Sequence, residues 1–305
     1  MLVKAMDFEA AEAELWELLD KYSQDKELPA AMHEIVEEYR NVGAYDTGRE
    51  LFGWLLENWQ QGDKTMLELQ VGVALQSIKL GEPNKTDAAV QKLIADYNDN
   101  PNIAKGLFQI AEEYFYARSY DKAVELWKLV ESGYQNSEFP NKKEVAYMLA
   151  TCYHRLEDYN KAISYYRKAI EEYPTCQYAY RIAYELGVAC RRNEQYDRAA
   201  YWFKRQRELS DNELYGDRAL FCEGLVYLFK LRDYEKAAVV FQKYSDSYPA
   251  GESIEIIPYD LALCYEKLGK EAEAIEQLQE GLEKYPDTDY AKAYKEKLAQ
   301  LQKED

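Results

Sequence analysis

Apolar residues recur along the chain with the period of an α-helix, and they do so in pairs of segments. Leu149 and Tyr153 fall on one face of a first segment, and Ala162 and Tyr166 fall on one face of a second. Apolar residues three or four positions apart form a stripe on a helix, which is the face that packs against a neighbour. No segment alternates apolar and polar residues with period two, so we predict helices and no strands.

A small residue near the start of each second segment recurs at spacings of 37 to 39 residues. The eight positions are Ala11, Gly48, Thr86, Ala123, Ala162, Ala199, Ala237 and Ala274. Self-similarity at a fixed period of this length is typical of repeat arrays, in which each unit is one supersecondary element that stacks on the next. We therefore predict a chain of helix pairs.

The pattern resembles the tetratricopeptide repeat over nearly the whole chain. In the clearest unit the resemblance is carried by Leu149, Ala150, Tyr153, Tyr159, Ala162, Tyr166, Ala169 and Pro174, and in the next by Leu186, Gly187, Tyr196, Ala199 and Phe203. The units are 37 to 39 residues long, whereas the family repeat has about 34. The resemblance implies an all-α fold, a right-handed α-solenoid of about eight helix pairs and so about sixteen helices.

The repeat register predicts one solenoid over residues 1–305. Residues 4–22 match a second helix that has no first helix before it, and residues 23–287 hold the repeats. Residues 288–302 match a first helix without a partner, and their polar composition suits a terminal cap. Because the array starts with a second helix that has no first helix before it, we expect that the given chain lacks residues that precede Met1 in the full protein.

The composition excludes several classes of function. The chain carries 38 Lys and Arg against 56 Asp and Glu, and its formal net charge of −18 repels nucleic-acid backbones and anionic membranes. No apolar run approaches the roughly 18 residues that a membrane helix needs. We predict no nucleic-acid partner and no direct membrane insertion.

No group of residues in the sequence indicates a reaction. The five cysteines are at least 14 residues apart, and His33 and His154 lie at different positions of the repeat. Glycine-rich phosphate loops and the histidine motifs of metalloenzymes are absent. We therefore predict no catalytic residue, no metal ion, no cofactor and no enzyme activity.

One position of the first helix holds an aromatic residue in five consecutive units. The series is His33, Leu69, Phe108, Tyr147, Tyr184, Phe221 and Tyr259. In tetratricopeptide proteins this position faces the concave groove where peptides bind, so the resemblance implies a groove with an aromatic floor, to which Val188 also belongs. The alternative, that these rings pack against the neighbouring helices, stays open.

Arginines accompany these rings. Arg181 and Arg218 occupy equivalent positions, each three residues before the aromatic residue of its unit. Arg191 lies on the same helix face as Arg181, and Arg155 lies at a matching place in the preceding unit. Because guanidinium groups pair with carboxylates and stack on rings, we expect a ligand with acidic residues and aromatic or aliphatic anchors.

Charge is distributed unevenly along the chain. Residues 1–38 hold 11 acids and 3 bases, whereas residues 181–207 hold 7 bases and 3 acids. This pattern fits a local cationic docking site, and it also fits ordinary salt pairing on helix surfaces.

The leading hypothesis is a non-catalytic scaffold or assembly adaptor that binds a protein or peptide in its groove. The alternatives are a self-associating structural subunit of a larger complex, so that homo-oligomerisation stays open, and a regulatory domain cut from a longer protein. Three units end in Tyr-Pro pairs, which resemble those of bacterial envelope members of the family. As given, the chain indicates a cytoplasmic protein, or a periplasmic one if an N-terminal signal has been removed.

Overall fold

The computed structural model describes residues 8–22, 25, 28–58, 63–134, 137–172, 174, 179–209 and 216–304. These residues form sixteen α-helices and no strand, and 82% of them are helical. The prediction of an all-α chain of about sixteen helices is confirmed.

The helices follow one another in the predicted order. Their bounds are α1 Phe8–Tyr22, α2 Leu28–Asn41, α3 Tyr45–Asn58, α4 Asp63–Lys79, α5 Pro83–Tyr97, α6 Ile103–Tyr116, α7 Tyr120–Gly133, α8 Val145–Arg155, α9 Tyr159–Glu172, α10 Ala179–Arg192, α11 Tyr196–Leu209, α12 Gly216–Leu225, α13 Tyr234–Ser247, α14 Ile257–Lys267, α15 Glu271–Lys284 and α16 Ala291–Glu304. Even-numbered helices from α2 to α14 are the first helices of the repeats, and odd-numbered helices from α3 to α15 are the second helices. The helix predicted over residues 4–22 is described from Phe8 onward.

Each turn between a first and a second helix contains one residue in the left-handed region of φ. These residues are Gly43, Gly81, Arg118, Glu157, Glu194, Arg232 and Gly269, with φ between 55° and 82°. Each stands five residues before the small residue of its unit. A left-handed residue ends a helix and reverses the chain, which explains why every pair turns at the same register.

Glycines allow the two helices of a pair to approach closely. A Cβ atom on Gly187 of α10 would lie 2.8 Å from the Phe203 ring of α11, and one on Gly224 of α12 would lie 2.5 Å from the Phe241 ring of α13. A real Cβ does not fit at those distances. These glycines of the first helices therefore make room for a ring of the partner helix.

Helix α12 differs from the other first helices because it ends in a π-helical turn. The turn spans Val226–Leu231, and it closes with a bond from the Asp233 amide to the Tyr227 carbonyl. Tyr234, the first residue of α13, stands 13 positions after Phe221, whereas Tyr196 stands 12 positions after Tyr184 in the preceding repeat. The π turn therefore accommodates one extra residue without changing the turn that follows.

Contacts divide the chain into two compact units, Met1–Leu156 and Glu157–Asp305, called here the N-terminal and C-terminal units. In the N-terminal unit, Leu15 and Leu19 of α1 pack into a core built by α2 and α3. In the C-terminal unit, the fully buried Tyr294 of α16 packs against α14 and α15, and its hydroxyl donates to the Glu255 carbonyl. One continuous solenoid over the whole chain remains a prediction.

Candidate functional site

The Phe108 ring lies in the core of its repeat. Its side chain is 2% exposed, and its ring centroid lies 6.0 Å from that of Trp127 on α7 and 5.7 Å from that of Phe139. The ring is therefore buried against its neighbours and does not lie on the floor of a groove, as we had expected. Phe108 is therefore corrected to a core residue.

In the C-terminal unit, three rings of the same register are only half-buried. Tyr184 packs 5.8 Å from Phe203, and Phe221 packs 6.3 Å from Phe241, both distances being between ring centroids. Tyr259 stacks on Tyr294 of α16 at 6.1 Å with 14° between the planes. One edge or face of each ring thus packs inside the C-terminal unit, as the alternative expected, while part of each ring remains accessible.

A polar cluster joins α10 and α12 beside these rings. Tyr184 lies beside Cys222, and burial together with this contact raises the pKa of Tyr184 to about 12. Burial also raises the pKa of the Cys222 thiol, while the Arg191 charge opposes that rise. Arg191 is half-buried, and its Nε atom is buried with no hydrogen-bond partner in the described structure.

Arg218 is held by a carboxylate that sequence reasoning did not identify. Its Nε and Nη2 atoms each donate to Glu252 over 3.0 Å, and this pairing raises the pKa of Arg218 and lowers that of Glu252. Glu252 stands in the segment between α13 and α14, 34 residues from its partner in sequence. No sequence pattern pointed to it.

The remaining predicted residues fall in both units. Val188 is half-buried and Arg181 is exposed on α10, in the C-terminal unit. Tyr147 is half-buried and Arg155 is exposed on α8, in the N-terminal unit. The structure therefore brings Tyr184, Arg191 and Cys222 together, whereas Tyr147 and Arg155 belong to a different compact unit.

Sequence reasoning also missed a buried ion pair between α11 and α12. Arg207 Nη2 donates to the Glu223 carboxylate over 2.5 Å, and Glu223 is 3% exposed. Burial raises the pKa of Glu223, and Arg207 opposes that rise. The sequence does contain a sign of this ion pair, because Glu223 occupies a repeat position that holds leucine in other units, at Leu149, Leu186 and Leu261.

A second buried acid has no ionic partner among the described residues. Asp260 of α14 is 2% exposed, its Oδ2 atom has no hydrogen-bond partner in the described structure, and burial raises its pKa to about 7. A carboxyl group in this setting is neutral over part of the physiological range, because burial disfavours the charged form. Strongly shifted pKa values also mark functional sites, but burial raises the pKa of the neighbouring Cys264 thiol, so that thiol is not an activated nucleophile.

The described residues contain no cluster of three or more His, Cys, Asp or Glu side chains that could hold a metal ion. Within the same residues, no helix is both long and apolar enough to cross a membrane.

Family comparisons agree with the repeat register. Residues 144–176 and residues 259–288 each match a family model of the tetratricopeptide repeat. These two segments are tetratricopeptide repeats. No curated protein sequence matches the chain closely enough to count as a relative.

Solved structures of tetratricopeptide-repeat proteins share the fold. The C-terminal part of a repeat-containing protein from Cytophaga hutchinsonii aligns with a TM-score of 0.60 at 13% identity, covering 86% of this chain and 98% of that one. MamA aligns with a TM-score of 0.50 at 22% identity, covering 63% of this chain and 95% of that one. YrrB is described as having an unusual peptide-binding site. It aligns with a TM-score of 0.50 at 18% identity, covering 66% of this chain and 96% of that one. At these identities the likeness establishes the fold alone.

Proposed function

We propose that the protein is a non-catalytic scaffold, or assembly adaptor, that binds a protein or peptide segment across the exposed face of α10 and α12. The observation that carries this proposal is the half-exposed pair of rings, Tyr184 and Phe221, one repeat apart and bordered by Arg181, Arg191 and Arg218. Repeat scaffolds present extended surfaces of this kind far more readily than closed catalytic pockets. The peptide-binding site named for YrrB supports the same class of function.

The chemistry of this face favours an acidic segment with apolar anchors. The accessible parts of Tyr184, Val188 and Phe221 would cover aromatic or aliphatic side chains of the ligand. Arg191 is half-buried at this face, and its positive charge would attract a ligand carboxylate. A second carboxylate would compete with Glu252 for Arg218, because that pair is exposed and so is held only weakly. Tyr147 and Arg155 remain predicted contacts of the N-terminal unit.

The test begins with peptides selected from a random phage-displayed library on the wild-type chain. We expect the selected sequences to combine Asp or Glu with Phe, Tyr, Trp or Leu. Their affinity, measured by calorimetry, should fall in Arg181→Glu/Arg218→Glu and in Tyr184→Ala/Phe221→Ala. Loss of a buried Arg–carboxylate pair costs about 2–5 kcal/mol, and loss of an exposed one costs under about 1. Unchanged affinity in both folded variants would place binding elsewhere.

Glu252→Gln provides a variant with the opposite expected sign. Removal of this carboxylate frees Arg218, so the selected acidic peptides should bind about two- to fivefold tighter. Glu235→Gln, an exposed acid of α13 in the same unit, is the matched control for net charge and should change affinity little. Equal affinities for wild type and Glu252→Gln would remove Arg218 from the binding surface.

A further inference from the structure

The segment of residues 248–256, between α13 and α14, carries Glu252 to the proposed binding face. There the Nε and Nη2 atoms of Arg218 donate to its carboxylate, and the two side chains are 54% and 66% exposed. An exposed ion pair is weakened by solvent and by the entropy lost when two long side chains are held in one geometry. The strength of this pair therefore depends on how firmly the backbone that carries Glu252 is fixed.

Two buried tyrosines fix that backbone. The hydroxyl of Tyr244, on α13, accepts a hydrogen bond from the Ser253 amide over 3.0 Å. The hydroxyl of Tyr294, on α16, donates to the Glu255 carbonyl. Both rings are fully buried in the C-terminal unit. The segment is therefore attached, on either side of Ile254, to side chains that are themselves held by close packing.

Helix α16 and the turn before it supply a further attachment. The Thr288 hydroxyl donates to the Glu255 carboxylate over 2.8 Å. Glu255 is thus bonded at its carbonyl by Tyr294 and at its side chain by Thr288. The Tyr294 ring also stacks on Tyr259 of α14, with 14° between the planes. The position of the segment therefore depends on α16 being docked against its neighbours.

Few side chains hold α16 in place. Among the described side chains of this helix, Tyr294 and Leu301 are the only buried ones. Lys297 adds an ion pair of 2.7 Å with Glu266 of α14. Elements with few buried apolar contacts open at a lower free energy than the core of a domain. Because Tyr294 is one of the two buried residues, opening of α16 removes its hydrogen bond to the segment.

We propose that Tyr294 is a positioning residue of the binding face, because it fixes the segment that holds Glu252 on Arg218. Docked α16 thereby lowers the affinity of the face for an acidic ligand. The proposal rests on the proposed function, in which a ligand carboxylate competes with Glu252 for Arg218. Linkage between the two equilibria is reciprocal, so a ligand that displaces Glu252 weakens the docking of α16 to the same extent.

The first test needs no ligand. Arg218 holds the pKa of Glu252 below its ordinary value, so that pKa, measured by NMR titration of the carboxyl group, reports how well the pair is held. Tyr294→Phe removes the hydroxyl and keeps the stacked ring, and the pKa of Glu252 should rise toward its ordinary value. Tyr290→Phe, at an exposed ring just before α16, is the matched control and should leave this pKa unchanged.

An unchanged pKa of Glu252 in folded Tyr294→Phe would overturn the proposal. If that variant does not fold, Thr288→Val replaces it, because it removes the other hydroxyl that bonds Glu255. The pKa of Glu252 should then rise as well, and its failure to rise would overturn the proposal in the same way.

The second test is calorimetry with the acidic peptides selected on the wild-type chain. Tyr294→Phe should bind them more tightly than the wild type, by no more than the about two- to fivefold expected of Glu252→Gln. In the Glu252→Gln background, Tyr294→Phe should change the affinity little, because the competing carboxylate is already gone. An equal gain with and without Glu252, or no gain in Tyr294→Phe where Glu252→Gln does gain, would overturn the proposal.

The two tests separate this proposal from the proposed function. If neither the arginine variant nor the ring variant of the binding face loses affinity for the peptides, the proposed function fails, because binding lies elsewhere. The titration of Glu252 still decides the present proposal in that case. A raised pKa in Tyr294→Phe would support the hold of α16 on the segment, and an unchanged one would overturn it.

Discussion

Helices α10 and α12 occupy equivalent places in consecutive repeats, yet they contact their neighbours by different chemistry. α10 presents Leu186, which is fully buried among apolar residues, whereas α12 presents Glu223 at the same register. α12 also contains one more residue, which its π turn absorbs. The left-handed turn lies five residues before the small residue in both repeats, so the repeat frame tolerates an ionic interior in one unit.

The difference shows that the partner helix determines what a first helix can bury. Glu223 is stable in its position because Arg207 of α11 reaches it over 2.5 Å. A buried charge without such a partner costs several kcal/mol, since water is lost and nothing replaces it. α10 has no described cation against Leu186, and so its repeat depends on apolar packing.

The largest effect should come from Leu186→Glu, which transfers the α12 residue into the α10 repeat. We expect the free energy of unfolding to fall by about 3–5 kcal/mol, because the new carboxylate would be buried without a cation. Urea unfolding, monitored by circular dichroism, measures this change in the free energy of unfolding. Leu186→Met is the control, and it should cost less than about 1.5 kcal/mol. Equal losses for both variants would contradict the comparison.

Removing one member of the ion pair should come next in size. Arg207→Met leaves Glu223 buried and unpaired, so we expect a loss of about 3 kcal/mol. Glu223→Leu/Arg207→Met restores an apolar interior like that of α10, and its stability should lie within about 1 kcal/mol of the wild type or above it. A double variant as unstable as the single one would mean that the π turn, rather than the missing partner, sets the requirement.

Asp260 gives a prediction for pH. Its pKa is about 7 in the folded state and about 4 when unfolded. The folded state therefore holds a proton that the unfolded state releases, and stability falls as pH rises from about 4 to about 7. Asp260→Asn should remove this loss and exceed the wild type by about 2–4 kcal/mol at pH 8, with little difference at pH 4. Parallel pH profiles of melting temperature for the two proteins would contradict the assignment.

The smallest effect concerns what α10 and α12 share. Glu194 and Arg232 end these helices in the left-handed region, at φ of 59° and 55°. Glycine adopts this conformation without the Cβ clash, so Glu194→Gly and Arg232→Gly should each stabilise the chain by about 1 kcal/mol. Gly269→Ala, at the matching turn, should destabilise it by a similar amount. Differential scanning calorimetry compares the three, and opposite signs at 194 and 232 would show that the turns are not equivalent.

The helix pairs could be predicted from sequence because their cause is local. The spacing of Ala162 and Ala199, and the glycines such as Gly187, report contacts made within one repeat or with the next. The π turn leaves a trace as well, since the 38-residue interval from Ala199 to Ala237 contains the extra residue. A count of residues does not say where the extra one is absorbed, because that depends on the packing of α12 between its neighbours.

The candidate site was harder to predict because residues at one register differ in their surroundings. Phe108 and Tyr184 share a position, but Phe139 covers the first ring, while the second stays half-exposed. The Arg218 side chain faces Glu252, from a segment whose course the repeat pattern does not specify. The repeat register therefore identified equivalent positions, and the connecting segments help to determine which of those positions are accessible.

Hydrogen–deuterium exchange of the wild-type chain, with and without a selected acidic peptide, tests most directly where the protein binds its partner. We predict that bound peptide slows exchange in residues 184–191 and 216–225, on α10 and α12, and leaves α11 and α13 unchanged. Slowing confined to the second helices, or no slowing on either first helix at saturating peptide, would contradict the proposed function.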